Sequence, residues 1–268
     1  SRSFYHFAKS HDERIKIITI NHAPFDKSIL HFALNKNEFS KSTNHLMFSP
    51  KPDIFLTQGR YYANFLKKIF NFNKKIYPIG MLKSEFHMSV EKKKNILPIK
   101  KKISKGKKIL SIFINVKDYI NAIDLLKQID LKKFIIILRP HPYLKDIRKK
   151  VTTEYKNNLN TKIIIRDDLS SKQIIELSDF ILCGDSTTWV ESLIYKKKNS
   201  KVFRISSSIE PPLFSKSKEI PILDSINQIE QFLNTKKNNL KVNKKKIIVE
   251  YMWSNDAKAS ERMIKLNL

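Results

Sequence analysis

The sequence predicts an α/β protein built on parallel sheets, in two portions of which the first is small. Three observations carry that expectation. Short apolar runs with a β-branched bias alternate with stretches at helical spacing, the pattern of strands joined by crossover helices. Two of the runs, over residues 134–138 and 179–183, show no apolar–polar alternation and read as interior strands of a parallel sheet. Both end in a compact polar cluster, Arg139-Pro140-His141-Pro142 in one case and Gly184-Asp185-Ser186-Thr187-Thr188 in the other. Ligands of open α/β sheets bind beyond the carboxyl ends of strands, so the active site is expected there.

Taken in order, residues 15–20 predict the first strand, with Asn21-His22-Ala23-Pro24 as the loop at its end. A short helix is expected over 25–34 and an irregular polar passage over 35–51. A second strand over 52–57 leads through Gln58-Gly59 into a helix over 60–70, and residues 75–80 form a third strand. The lysine-rich passage 83–107 has no periodicity, carries Pro98 and Gly106, and reads as an interdomain linker. Beyond it, strands over 108–115, 134–138, 162–165, 179–183 and 201–205 alternate with helices over 118–129, 143–157, 170–177 and 187–195. Tyr119, Ile123, Leu126 and Ile129 fall near the 3.6-residue period, and Ser170 is placed to cap its helix. Helices over 225–234 and 252–266 follow. The expected organisation is a small α/β portion at 1–82, the linker at 83–107, a nearly complete βα domain at 108–250 and a closing helix at 251–268. The first portion holds few strands, and an amino-terminal part is expected to be missing.

Hydrophobic residues make up 41% of the 268, enough for a packed core rather than a disordered chain. The single cysteine, Cys183, excludes an internal disulfide and fits a reducing cytosolic setting. Inside a predicted strand it reads as a small core residue before it reads as a nucleophile. A formal charge of +27 invites a nucleic-acid partner. Yet the lysines are scattered in short runs at 92–94, 100–102, 196–198 and 244–246, and abundant Lys, Ile and Asn beside only 4 Gly resemble AT-rich codon drift. Solvated loops explain the runs most simply, attraction to an anionic membrane or polyanionic substrate comes next, and specific nucleic-acid recognition last. No apolar stretch approaches the ~20 residues that span a bilayer. No secretory signal opens the sequence, and a cytoplasmic protein, soluble or peripheral at the inner face of the membrane, is expected.

Each polar cluster has a chemical reading and a plainer one. The first turn of the helix after Asp185-Ser186-Thr187-Thr188 offers free N–H groups and a partial positive charge that can hold a phosphate; the plainer reading is a helix cap. Glu191, within that helix, can reach a ribose diol or stand on a solvated face. In Arg139-Pro140-His141-Pro142 two prolines fix the backbone around His141, and Arg139 can pair with a phosphate. The alternative is a strand-ending turn with an exposed histidine. His22 suits general-base work near neutral pH, with Asp26 as alternative base or orienting partner, and is otherwise a loop histidine.

Taken together, the residues resemble a known family. The set comprises the His22 loop, Pro52-Asp53, Gln58-Gly59, Pro78-Ile79-Gly80, Arg139-Pro140-His141-Pro142, and Ser178-Asp179 with Ser186, Thr187 and Glu191. Their order is similar to that of the GT-B glycosyltransferases of bacterial surface polysaccharides. These include capsule Kdo transferases, sialyl- and polysialyltransferases, and CDP-glycerol glycerophosphotransferases. The likeness spans residues 15–205. It implies two Rossmann-like portions and an inverting transferase using a CMP-activated acidic sugar as donor and a surface glycan or lipid-linked glycan as acceptor. It also implies that His141 contacts the donor phosphate or assists the leaving nucleotide. Ser186 and Thr187 would bind that phosphate, Glu191 the ribose, and His22 would act as acceptor base. Ala23 stands where the glycerophosphotransferase branch usually has Gly, and the Arg139 cluster lacks a second histidine. No Asp-x-Asp motif is present and Asp167-Asp168 lacks that spacing, so no metal or other cofactor is expected beside the nucleotide-sugar substrate. Two other readings stay open: a UDP-sugar 2-epimerase-like enzyme of the same fold, and a basic nucleic-acid-binding protein.

Overall fold

The structure, a computed structural model, describes residues 7–8, 10–21, 52–69, 75–90, 96–114, 119–140, 148–166, 168–184, 188–195, 201–205, 221–235, 244–254 and 256–267. In chain order the elements are β1 (Ile18–Ile20), β2 (Ile54–Thr57), α1 (Arg60–Ile69), β3 (Lys75–Pro78), α2 (Leu82–Glu85) with a π-helical turn over Phe86–Val90, and α3 (Ile96–Ser104). Next come β4 (Lys108–Ile114), α4 (Tyr119–Leu126), β5 (Phe134–Pro140), α5 (Arg148–Asn158), β6 (Lys162–Ile165), α6 (Ser171–Leu177) and β7 (Phe180–Cys183). After them stand α7 (Thr188–Tyr195), β8 (Lys201–Ile205), β9 (Ile222–Leu223), α8 (Ile226–Asn234), α9 (Lys244–Met252) and α10 (Ala259–Lys265). The chain divides into two units, residues 1–91 with 244–268, and residues 92–243.

The first unit holds a parallel sheet in the order β1-β2-β3. The central strand β2 is buried along its whole length, which is why Ile54-Phe55-Leu56 reads as an unbroken apolar run. Asp53 braces its start: the carboxylate accepts from the Ile17 N–H at 2.9 Å, and the Asp53 N–H donates to the Ile17 carbonyl at 2.9 Å. Tyr62, Ala63, Phe65 and Leu66 give α1 its buried stripe at helical spacing.

The second unit holds six parallel strands in the order β6-β5-β4-β7-β8-β9. From β4 the chain winds one way through β5 and β6, then the other way through β7, β8 and β9. The order reverses between β4 and β7, and that switch point is where doubly wound sheets take ligands. Leu110, Ile112, Ile136, Leu138, Leu182 and Phe203 form one buried layer with Tyr119, Ile123, Leu126, Val151 and Tyr155. Ser170 caps α6 as expected, in a full capping box: its hydroxyl accepts from the Gln173 N–H while the Gln173 side chain accepts from the Ser170 N–H.

Several elements differ from the sequence reading. Residues 83–107, expected to be an aperiodic linker, carry α2, the π-helical turn and α3. Pro98 does not break α3, because it stands in the first turn, where an N–H has no intrahelical acceptor. Residues 244–252 form a helix that was not anticipated, and it groups with 1–91 rather than with the 108–250 domain. The small strand β9 was not anticipated either. Strand β1 is limited to Ile18–Ile20, and β5 continues two residues past the expected end, through Arg139 and Pro140. The helix expected over 25–34 and the passage over 35–51 lie outside the described residues.

Candidate functional site

The register of the large sheet sets the geometry of the site. Phe113, near the end of β4, pairs with Arg139 of β5 on one side and with Cys183 of β7 on the other. The Gly184 N–H donates to the Phe113 carbonyl at 3.0 Å and carries the ladder one residue further. Arg139 and Pro140 on one side and Gly184 on the other, the described starts of the two polar clusters, therefore flank the end of β4. Strands β5 and β7 belong to one sheet, and the Ile-rich β4 runs between them.

At the opposite end of β7 the same sheet uses polar residues as braces. The Asp179 carboxylate accepts from the Ile109 N–H at 2.9 Å and from Lys100 Nζ at 2.6 Å, and its N–H donates to the Ile109 carbonyl at 2.9 Å. The Ser178 and Ser111 hydroxyls lie 2.5 Å apart. Asp53 and Asp179 thus do the same work in the two units: each ties the start of a central strand to its neighbour at the end away from the ligand edge.

Past Gly184, helix α7 opens at Thr188, and Thr188, Trp189, Val190, Glu191, Ser192 and Leu193 are all buried. Glu191 is 0% exposed, which removes the reading of it as a solvated helix-face carboxylate. A carboxylate in the first turn of a helix is favoured by the N–H groups there, a partial compensation for its removal from water. Arg204 of β8 is also buried, at 4% exposure, beside Cys183 in the ladder and with its guanidinium 5.4 Å from the Trp189 ring centroid. Burial pushes the Cys183 thiol far above its usual range; Arg204 opposes the rise and Glu191 adds to it. Cys183 is thus a protonated core side chain, and the carboxylate and guanidinium are both within electrostatic reach of its sulfur.

Arg139 is half-buried, and its Nη1 donates to the carbonyls of Arg166, at 3.3 Å, and Leu169. That fastens the end of β5 to the turn after β6, where Arg166 and Asp168 form a two-pronged pair at 2.7 and 2.6 Å. Of the expected site residues, Arg139, Gly184, Thr188 and Glu191 are thus placed at the carboxyl ends of β5 and β7. His22, Asp26, His141, Asp185, Ser186 and Thr187 lie outside the described residues. Sequence reasoning missed Arg204 and Trp189. The available signal was a lone arginine inside Val202-Phe203-Arg204-Ile205, since a charge within a buried strand must find a partner there. Among the described residues no three His, Cys, Asp or Glu side chains are grouped so as to hold a metal ion.

No protein-family model matches the chain, and no curated protein matches it in sequence. Solved structures do. The UDP-GlcNAc 2-epimerase from Neisseria meningitidis bound to UDP-GlcNAc aligns with a TM-score of 0.61 at 15% identity, over 98% of this chain and 72% of that one. The trehalose-6-phosphate synthase OtsA aligns with a TM-score of 0.58 at 13% identity, over 98% and 69%. The wall teichoic acid polymerase TagF, soaked with CDPG, aligns with a TM-score of 0.50 at 16% identity, over 80% of this chain and 55% of that one. The chain thus spans about half the length of that polymerase. At these identities the likeness is one of fold, and the architecture is α/β of the GT-B type, with two parallel sheets.

Proposed function

We infer that the chain is a nucleotide-sugar-dependent glycosyltransferase that moves a CMP-activated acidic sugar, of the sialic acid or Kdo type, to a surface-glycan acceptor with inversion. The observation that carries this reading is the buried Glu191 in the first turn of a helix that opens beyond the β4–β7 switch point. A helix opening there offers N–H groups to a phosphate, and a carboxylate one turn on suits a ribose diol. In the reaction the acceptor oxygen forms a bond to the anomeric carbon while the bond from that carbon to the donor phosphate oxygen breaks. The electron pair leaves with the nucleotide, and the acceptor proton passes to His22, with Asp26 as the second candidate base. The helix terminus, Ser186, Thr187, His141 and Arg139 would stabilise the departing phosphate.

A thermal-shift screen of CMP, CDP, UDP and GDP tests the reading. A nucleotide at about 100 times its dissociation constant stabilises by about 2.7 kcal/mol. CMP is expected to give the largest rise. If UDP stabilises and neither cytidine nucleotide does, the donor is misassigned; if no nucleotide does, the transferase reading fails. The epimerase likeness, at a TM-score of 0.61 against 0.50 for the teichoic acid polymerase, favours a second reading as a UDP-sugar 2-epimerase. Conversion of UDP-GlcNAc without any acceptor would decide for it. Among the described residues no helix is long and apolar enough to cross a membrane. A peripheral association with the anionic inner leaflet through the lysine runs is part of the proposal, and specific nucleic-acid binding is not.

A further inference from the structure

Trp253 sits in a backbone conformation that its side chain disfavours. It is the first residue after α9 and has φ +65°, the left-handed region that helix-ending residues occupy at little cost only when they are Gly or Asn. An indole held there has been placed at an energetic cost, and such costs persist only where surrounding contacts over-determine the position. Those contacts are present. Gly59, just past β2, lies so close to α9 that a Cβ on it would meet the Glu250 carbonyl oxygen at 2.3 Å. Tyr61 and Tyr251 lie ring to ring with centroids 5.2 Å apart, and Arg262 ties the segment after Trp253 to β3 through Asp256 and the Ile79 carbonyl.

The indole that results is half-buried, and the guanidinium of Arg60 covers it, 5.0 Å from the ring centroid. Arg60 is exposed and begins α1, three residues beyond the end of β2, so the pair lies at the carboxyl edge of the small sheet. Asn21, which follows β1, reaches the same edge: its N–H donates to the Leu56 carbonyl at 2.8 Å, and its side chain accepts from the Gln58 N–H at 3.4 Å. An exposed stack of guanidinium on indole is weak, and Arg60 gives up little by exchanging it for a better partner. The apolar C–H face of a pyranose fits an indole, and a carboxylate or phosphate on that ring fits a guanidinium with two parallel hydrogen bonds. A net charge of +27 on the chain raises the local concentration of such anions.

We propose that Arg60 and Trp253 form a saccharide subsite for an anionic sugar, the sugar ring stacking on the indole and its acidic group pairing with the guanidinium. The proposal rests on the glycosyltransferase reading and gives its acceptor a chemical class, a glycan with an acidic residue near the reacting end. The chain has two tryptophans, and Trp189 is 0% exposed, so acrylamide quenching of fluorescence reports on Trp253. The wild-type chain is titrated, without nucleotide, with tetragalacturonate, with neutral maltotetraose and with inorganic phosphate. Tetragalacturonate is expected to protect Trp253 at a concentration at least tenfold below maltotetraose, and phosphate alone to leave quenching unchanged. Arg60→Gln, a surface change, is expected to abolish the preference for the acidic sugar, and Trp253→Phe to weaken its binding in calorimetry. CMP thermal shifts of both variants should match the wild type. Equal affinity for the two oligosaccharides, or full protection by phosphate alone, would overturn the subsite. A nucleotide shift without saccharide protection would overturn it too, and would leave the transferase reading standing.

Discussion

The Asp256–Arg262 pair offers a perturbation whose size and pH dependence both follow from geometry. Two parallel hydrogen bonds of 2.7 and 2.9 Å join the groups, and Arg262 Nε donates to the Ile79 carbonyl at 2.7 Å, fixing the C-terminal segment to the end of β3. The guanidinium holds the Asp256 carboxyl at about 2, below its ordinary 3.8. At about 1.36 kcal/mol per pH unit, that lowering sets a ceiling of about 2.4 kcal/mol on the stabilisation. The carboxylate and guanidinium side chains are 40% and 25% exposed, so solvent screening brings the expected value to about 1 kcal/mol. The sign is set by the lowered value: the contribution is fully present above the unfolded carboxyl's pKa and is lost as pH falls from 3.8 towards 2. Urea denaturation of wild type and Asp256→Asn should therefore differ by about 1 kcal/mol at pH 7, and the gap should close towards pH 2. A gap that stays constant over that range, or a double-mutant cycle with Arg262→Gln that gives no coupling, would refute the pairing as its source.

Three further outcomes are expected. Gly59→Ala should destabilise the chain by about 1–3 kcal/mol in urea, or displace α9 from β2, because the added methyl would sit 2.3 Å from the Glu250 carbonyl oxygen and neither backbone can yield cheaply. Replacing Ser186 and Thr187 together by Ala should weaken nucleotide binding by roughly 2–4 kcal/mol in calorimetry while leaving the melting temperature of the apo chain unchanged. The two histidines should fail differently: His141→Ala in nucleotide affinity, and His22→Ala in turnover, slowed roughly 10²–10⁴-fold at unchanged affinity. Full activity in His22→Ala would pass the base role to Asp26.

What the sequence determined by itself was whatever rests on local chemistry. The run at 162–165 is a strand over those same residues: three successive isoleucines are β-branched and favour the extended chain locally, even in this half-buried edge strand. The cap at Ser170 was legible for the same reason, because its hydroxyl accepts a hydrogen bond within the first turn; the reciprocal bond to the Gln173 side chain is what the structure adds. Helix α3 reads as linker in the sequence: Ile96, Ile99 and Ile103 keep a helical spacing, but the lysines between them and Pro98 mask it. The tertiary structure alone decided which strand lies between the two polar clusters, because strand order in a parallel sheet is set by crossovers and not by adjacency in sequence. It also decided that Glu191 and Arg204 are buried near Cys183, and that Asp53 and Asp179 brace the starts of β2 and β7. The same holds for the return of residues 244–268 to the first unit, which depends on Gly59 leaving room for the backbone of α9. Burial and partnership arise between segments far apart in the chain, and no periodicity or motif within a segment encodes them.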